Sequence, residues 1–194
     1  MLREPLESRR IVISRANNQV TYPAGFQLVA AMNPRPCGYL SEKTSMGRDR
    51  CRWTVDQILR CRHRVTGPLM DRIDLQVGVP TPAKGTFSDP QLKGDIRDHY
   101  QAEKMIPDAR RRMWSRGGTN AQLSSKDVEA QCLLESQGQK LLDDAAHQLG
   151  YSARGYYKVS KIALTITDLE GADQISSSHL SEALNLRRLD RLEM

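Results

Sequence analysis

The chain has 194 residues, 39% of them hydrophobic and 27% charged, with a formal net charge of +6. That length supports one or two domains with a real core, no apolar run approaches the roughly 18 to 20 residues of a membrane span, and the start MLREPLESRR lacks the apolar stretch of a signal peptide. Cys37, Cys51, Cys61 and Cys132 show no disulfide-framework spacing, so a reducing cytoplasm without a membrane partner is expected.

The positive charge is unevenly spread. Residues 1–64 hold 12 Lys/Arg against 5 Asp/Glu, and the remaining chain holds 17 against 18. A basic segment on a neutral body suits a polyanion such as DNA, although a solvated basic loop has the same composition.

In chain order, residues 1–8 read as the end of a helix. IVISR (11–15) and QVTY (19–22) flank Ala16-Asn17-Asn18 and read as a short hairpin. FQLVAAM (26–32) has the apolar continuity of a buried central strand, ending at Asn33-Pro34. Residues 34–53 form a long irregular loop. Thr54 opens a helix, with Gln57 completing a capping box, that runs to about residue 65 and stops at Gly67-Pro68. Ile73, Leu75, Val77 and Val79 alternate with Asp74, Gln76 and Gly78, the pattern of a half-buried strand. The Pro- and Gly-rich stretch 83–94 reads as a linker.

Everything after it reads as helix: about 95–116 with a kink or restart at Pro107, then 126–133, 136–148, 153–169 and 178–190. Ser152 is the expected N-cap of the fourth, whose apolar stripe is Val159, Ile162, Ala163, Ile166 and Leu169. Trp114 is expected in a core, Arg110-Arg111-Arg112 on a solvated helix face, and His99, His147 and His179 in solvated or structural roles.

Three polar residues stand at element edges. Asn33 ends the apolar strand, where a carboxamide can donate to a phosphate oxygen or orient a water, or simply cap the strand in an Asn-Pro turn. Arg72 precedes the strand beginning at Ile73; its guanidinium fork suits a γ-phosphate, or equally a salt bridge with Asp71 or Asp74. Arg154 lies in the first turn after Ser152, where the helix dipole disfavours a cation unless an anion docks there. Arg9, Arg10 and Arg15 flank the hairpin and are candidate DNA-binding residues, with Arg15 alternatively a charge guarding a strand edge. No G-x-x-x-x-G-K-[ST] loop occurs in the sequence.

The phrases LREPLES, ISRANNQVTYPAGFQLVAAMNPRPCGY, GPLMDRIDLQVGVP, GYSARGYYKVSKIALTITDLEG and HLSEALNLRRLDR resemble the C-terminal portion of the ComM/YifB family of magnesium-chelatase-like AAA+ ATPases, a resemblance that covers nearly the whole chain, from residue 2 to residue 192. The resemblance implies an α/β fold: residues 1–82 as the late part of an AAA+ P-loop core, residues 83–94 as linker, and 95–194 as an all-helical lid. It implies Asn33 as sensor 1, Arg72 as an arginine finger acting on a neighbouring subunit, Arg154 as sensor 2, and the hairpin arginines as pore-facing DNA contacts. It further implies ATP and Mg2+, bound mainly by a portion upstream of Met1 that carries the phosphate loop, and a homo-oligomeric ring, usually a hexamer. The partners expected are DNA and either that N-terminal half or a full-length homologue, and the activity is DNA translocation or branch migration in DNA uptake.

Many members of that family carry C-P-C and C-x-C pairs suited to zinc, whereas this chain reads Arg35-Pro36-Cys37 and Cys51-Arg52-Trp53, so zinc is not expected. A stand-alone DNA-binding or regulatory module, and a chelatase-like motor acting on a protein, are the alternatives. The chain alone is expected to be catalytically inactive.

Overall fold

The computed structural model describes residues 3–15, 18–32, 67–70, 72–79 and 96–187, with Thr54, Gln57, Pro82 and Ser88. Asn33, Asp71, the remaining residues of the 34–66 region and most of the 83–94 linker lie outside the described residues. The chain forms two compact units, Met1–Ile73 and Asp74–Met194.

The first unit begins with α1 (Arg3–Ser8) and a hairpin, β1 (Arg10–Arg15) and β2 (Asn18–Pro23). Arg9 reverses the chain between α1 and β1 with φ +56°, in the left-handed region that costs a non-glycine residue about 1–2 kcal/mol. Two bonds hold it there: its N–H donates to the Pro5 carbonyl (3.0 Å), and its carbonyl accepts from the Ala24 N–H (2.7 Å). The antiparallel register pairs Ile11 with Tyr22, Ile13 with Val20 and Arg15 with Asn18. These pairs share one face, since directly opposed residues point the same way. Every residue of both strands is exposed. A four-residue helical turn, α2 (Gly67–Met70), occupies the Gly-Pro site expected only to stop a helix. Farther back, the Thr54 N–H donates to Gln57 Oε1 (3.0 Å) and the Gln57 N–H to Thr54 Oγ1 (3.4 Å), the reciprocal pair expected of a capping box.

Two expected strands are not formed. Residues 26–32 have no regular structure, and Phe26, Val29 and Met32 are exposed. Among the described residues no strand lies beside them, and an apolar run becomes a central strand only where neighbours accept its backbone bonds. Residues 73–79 invert their expected pattern: Leu75, Val77 and Val79 are exposed, whereas Gln76 is buried. The Gln76 N–H donates to the Leu186 carbonyl (2.6 Å), and this bond draws the segment onto the helical unit instead of a sheet.

The second unit contains α3 (Ile96–Ser115), a 3-10 turn (Asn120–Gln122), α4 (Ser125–Gln131), α5 (Ser136–Gln148), α6 (Ala153–Glu170) and α7 (Ser177–Asn185). Helix α3 runs unbroken through Pro107. Helix α6 is the spine. Ser152 caps it by accepting from the Gly155 N–H (3.3 Å), and Gly171 ends it at φ +73°, which a glycine adopts without a Cβ penalty. Val159, Ile162, Ala163 and Ile166 face a core completed by Leu142, Ile175, Leu180 and Ala183. Each buried aliphatic chain of Val, Leu or Ile contributes about 1.5–3 kcal/mol. A parallel bridge between Leu134 and Ile175 ties the α4–α5 connection to the α6–α7 connection. His179 is structural and buried: its Nε2 lies 2.8 Å from Glu170 Oε2, and it completes the capping box of α7 with Ser176.

Helix α3 is joined to α6 by a polar cluster. Asp168, only 2% exposed, accepts from Arg116 Nη2 and from Asn120 Nδ2 (2.7 Å), and Asn120 also donates to Thr165 Oγ1 (3.1 Å). Trp114, expected in a core, is 65% exposed. Removing one partner of a buried ion pair costs about 3–5 kcal/mol, so Asp168→Ala is expected to lower unfolding stability by that order. Urea titration checks it against Ser124→Ala, which removes only the α4 cap and costs about 1 kcal/mol.

Candidate functional site

In the first unit, the turn α2 positions Arg72. The Arg72 N–H donates to the Leu69 carbonyl (2.9 Å), which closes the turn and aims the side chain back at α1. There Nη2 meets Glu7 Oε2 at 2.6 Å, with the Arg72 side chain 18% exposed. Among the described residues the acid paired with Arg72 is Glu7, a residue with no sequence signal for that pairing; Asp74 pairs with Lys158, and Asp71 lies outside the described residues. The three hairpin arginines are exposed but dispersed. Arg9 sits at the root, Arg10 pairs with Pro23 on one face near the root, and Arg15 pairs with Asn18 at the far end. About 3.4 Å per residue puts Arg10 and Arg15 roughly 17 Å apart along the strand. The structure therefore does not gather them into one cluster.

In the second unit, Arg154 lies exposed in the first turn of α6, as its spacing from Ser152 predicts. Gly155 is what lets the preceding chain close on that turn: a Cβ there would meet Tyr151 Cδ1 at 3.2 Å and Tyr151 Cβ at 3.3 Å. One helical turn beyond Arg154 stands Lys158, on the same face. Its Nζ lies 2.5 Å from Asp74 Oδ1. Arg187, 1% exposed, donates through Nη1 to the Asp74 carbonyl (3.2 Å). Together with the Gln76–Leu186 bond, these contacts clasp residues 74–76 to α6 and the end of α7. Sequence reasoning missed this clasp. The i,i+4 relation of Arg154 and Lys158 was available, but nothing marked Asp74 as its acid.

The electrostatics of the clasp follow from burial. Desolvation pushes the Lys158 ammonium below the usual lysine range, opposed by its hydrogen bond to and attraction for Asp74, while Arg187 and Arg154 lower it further. Cys132, partly buried, is pushed up to about 11 by desolvation and is a neutral thiol at physiological pH. Among the described residues no group of three His, Cys, Asp or Glu side chains is placed to hold a metal ion. Cys37, Cys51 and Cys61 lie outside the described residues. No helix among the described residues is long and apolar enough to cross a membrane.

Residues 1–87 match the family model for magnesium chelatase, subunit ChlI, and residues 98–187 match that for its C-terminal region. Competence protein ComM of Haemophilus influenzae is 39% identical over 191 residues, covering 98% of this chain and 36% of the relative. The uncharacterized protein YifB of Salmonella typhimurium is 40% identical over 192 residues and YifB of Escherichia coli 39%, with the same coverage. This chain belongs to the ComM/YifB family of magnesium-chelatase-like proteins. It spans 36% of the length of these curated relatives. Both halves of this ComM/YifB-family chain, hairpin unit and helical unit, fall inside the matched residues.

Asp74 sustains the charge on Lys158, which gives a titration with a definite sign. In Asp74→Asn the carboxylate attraction is lost and desolvation remains, so the Lys158 pKa is expected to fall further. The midpoint, read from the lysine side-chain resonance by NMR, should move to lower pH in the variant, and an unchanged or raised midpoint contradicts the clasp.

Proposed function

We propose that this chain is the nucleotide-responsive and DNA-gripping portion of a ring ATPase of ComM type, built on the late part of an AAA+ core and a helical lid. The observation that carries this reading is Arg154, a cation at the exposed N-terminal turn of the 18-residue helix α6. The dipole of that end favours anions, so a phosphate docked there meets both the helix end and the Arg154 guanidinium. Family membership across both halves of the chain supports the same reading.

The chain's residues fit a nucleotide only in part. Arg154, Arg72 and Asn33 are of the types that meet a terminal phosphate, but the sequence has no phosphate-binding loop. In this reading the cradle and the Mg2+ ligands belong to a phosphate-loop-bearing partner, whether an N-terminal half or a full-length homologue. ATP, when bound, supplies a phosphoryl group whose transfer to water depends on positioning and charge stabilisation. Arg154 holds the lid to the phosphate tail, Arg72 leaves Glu7 to reach a neighbouring protomer's nucleotide in a ring such as a hexamer, and Asn33 orients the water. The exposed hairpin carries Arg9, Arg10 and Arg15 to the DNA backbone, which they grip without reading sequence. The outcome is translocation or branch migration of DNA. A second reading, a DNA-binding module indifferent to nucleotide, is favoured by the full exposure of the hairpin.

ATP turnover separates the two. The chain alone is expected to hydrolyse no ATP. Combined with the phosphate-loop-bearing remainder of a ComM relative, it should restore DNA-stimulated turnover. Arg72→Ala is expected to lower that turnover by about 10³-fold or more, the range of arginine fingers, and Arg154→Ala to lower it as well, with far-UV circular dichroism unchanged. Turnover by the chain alone overturns the proposal; DNA binding with no complementation and no nucleotide effect establishes the second reading.

A further inference from the structure

We infer that the outward face of α3 is a second contact for nucleic acid, in which an unpaired base stacks on Trp114 and the adjoining phosphate is held by Arg110. The inference rests on the DNA reading above but concerns a different part of the molecule.

The observations begin with the three consecutive arginines. Arg112 turns inward, where Nη2 donates to the Gly171 carbonyl (2.6 Å) and Nη1 to the Ala172 carbonyl (2.9 Å), neutralising the negative end of α6. Arg111 pairs with Asp108 at 2.6 Å. Arg110 has no acidic partner among the described residues. It stands four residues before Trp114, on the same helix face. Both line a shallow groove of about 390 Å³ at the seam of α3 with α6, together with Ile106, Ala109, Met113, Thr119 and Leu169. An indole 65% exposed beside an uncommitted guanidinium combines an apolar stacking platform with a phosphate ligand.

The platform extends along the helix. Tyr100, Pro107 and Trp114 recur every seven residues, which places them on one outward stripe about 21 Å long at 1.5 Å per residue. Tyr100 is 63% exposed. Lys104 stands beside the stripe. Charge selects a polyanion as occupant. Helix α3 holds five Lys/Arg against three Asp/Glu, whereas residues 116–187 hold seven against nine, so the positive charge of the helical unit is concentrated on this helix.

The test uses the full chain with Trp53→Phe, which leaves Trp114 as the one remaining indole of two. Titration with oligothymidylate should quench its emission saturably, and the anisotropy of a dye-labelled oligothymidylate reads the affinity of every variant, including those without an indole. Trp114→Ala is expected to weaken binding about 5- to 150-fold, equivalent to about 1–3 kcal/mol for one stacked base, and Trp114→Phe to retain most of the affinity. Arg110→Ala should reduce the slope of log K against log salt by about 0.7, the loss of one single-strand phosphate contact. Both side chains are exposed, and circular dichroism verifies that the variants fold. Binding without quenching, and unaffected by Trp114→Ala, overturns this inference while the DNA reading survives through the hairpin. Self-association abolished by Trp114→Ala assigns the face to a second copy of the chain and overturns it as well. Quenching retained in the combined Arg9→Ala, Arg10→Ala and Arg15→Ala variant upholds the inference, since α3 then binds without the hairpin arginines.

Discussion

The carboxylate of Asp168 is 2% exposed, in a place where water cannot solvate it. It is tolerated there because Arg116 and Asn120 reach it from beyond the end of α3 and satisfy it with charge and hydrogen bonds. That pairing fixes how α3 lies against α6, and the consequences run outward from the contact. With α6 held at its C-terminal half by Asp168 and Arg112, its N-terminal turn projects Arg154 from a rigid rod rather than from a loop. The apolar core of Leu142, Val159, Ala163 and Leu180 supplies the bulk of the stabilisation. The polar contact supplies direction, which apolar burial alone does not.

Much of the helical unit is legible in the sequence because its signals are local. Ser152 ahead of an apolar stripe at 3.6-residue spacing marks the start of α6, and Gly171 marks its end. The Thr54–Gln57 pair marks a helix start in the same way. Arg154 is placed by the same logic, since its position depends only on the cap two residues before it. What is not legible is long-range. Nothing near Glu7 announces Arg72, 65 residues away, and nothing near Asp74 announces Lys158 and Arg187. Trp114 is misjudged because aromatic side chains usually bury, whereas this one is 65% exposed.

The two failed strand assignments share a cause. FQLVAAM and the alternating segment 73–79 have the composition of strands, yet a strand is a relation between segments and not a property of one. Among the described residues no strand lies beside the first, which stays irregular, and the second gives its Gln76 amide to Leu186. The hairpin formed because each of its strands is the other's neighbour, with paired residues 13 positions apart at the root and three at the tip. Its position between α1 and Ala24 also explains why an isolated two-stranded ribbon, marginal by itself, holds its register here.

The root of that ribbon is fastened on both sides. Arg9 donates to Pro5 within α1 and accepts from Ala24 just past β2, so neither strand can swing without carrying the helix along. The hairpin root and the helix whose last turn presents Glu7 are therefore joined through one residue, Arg9, and the acid paired with Arg72 stands only two positions from that joint.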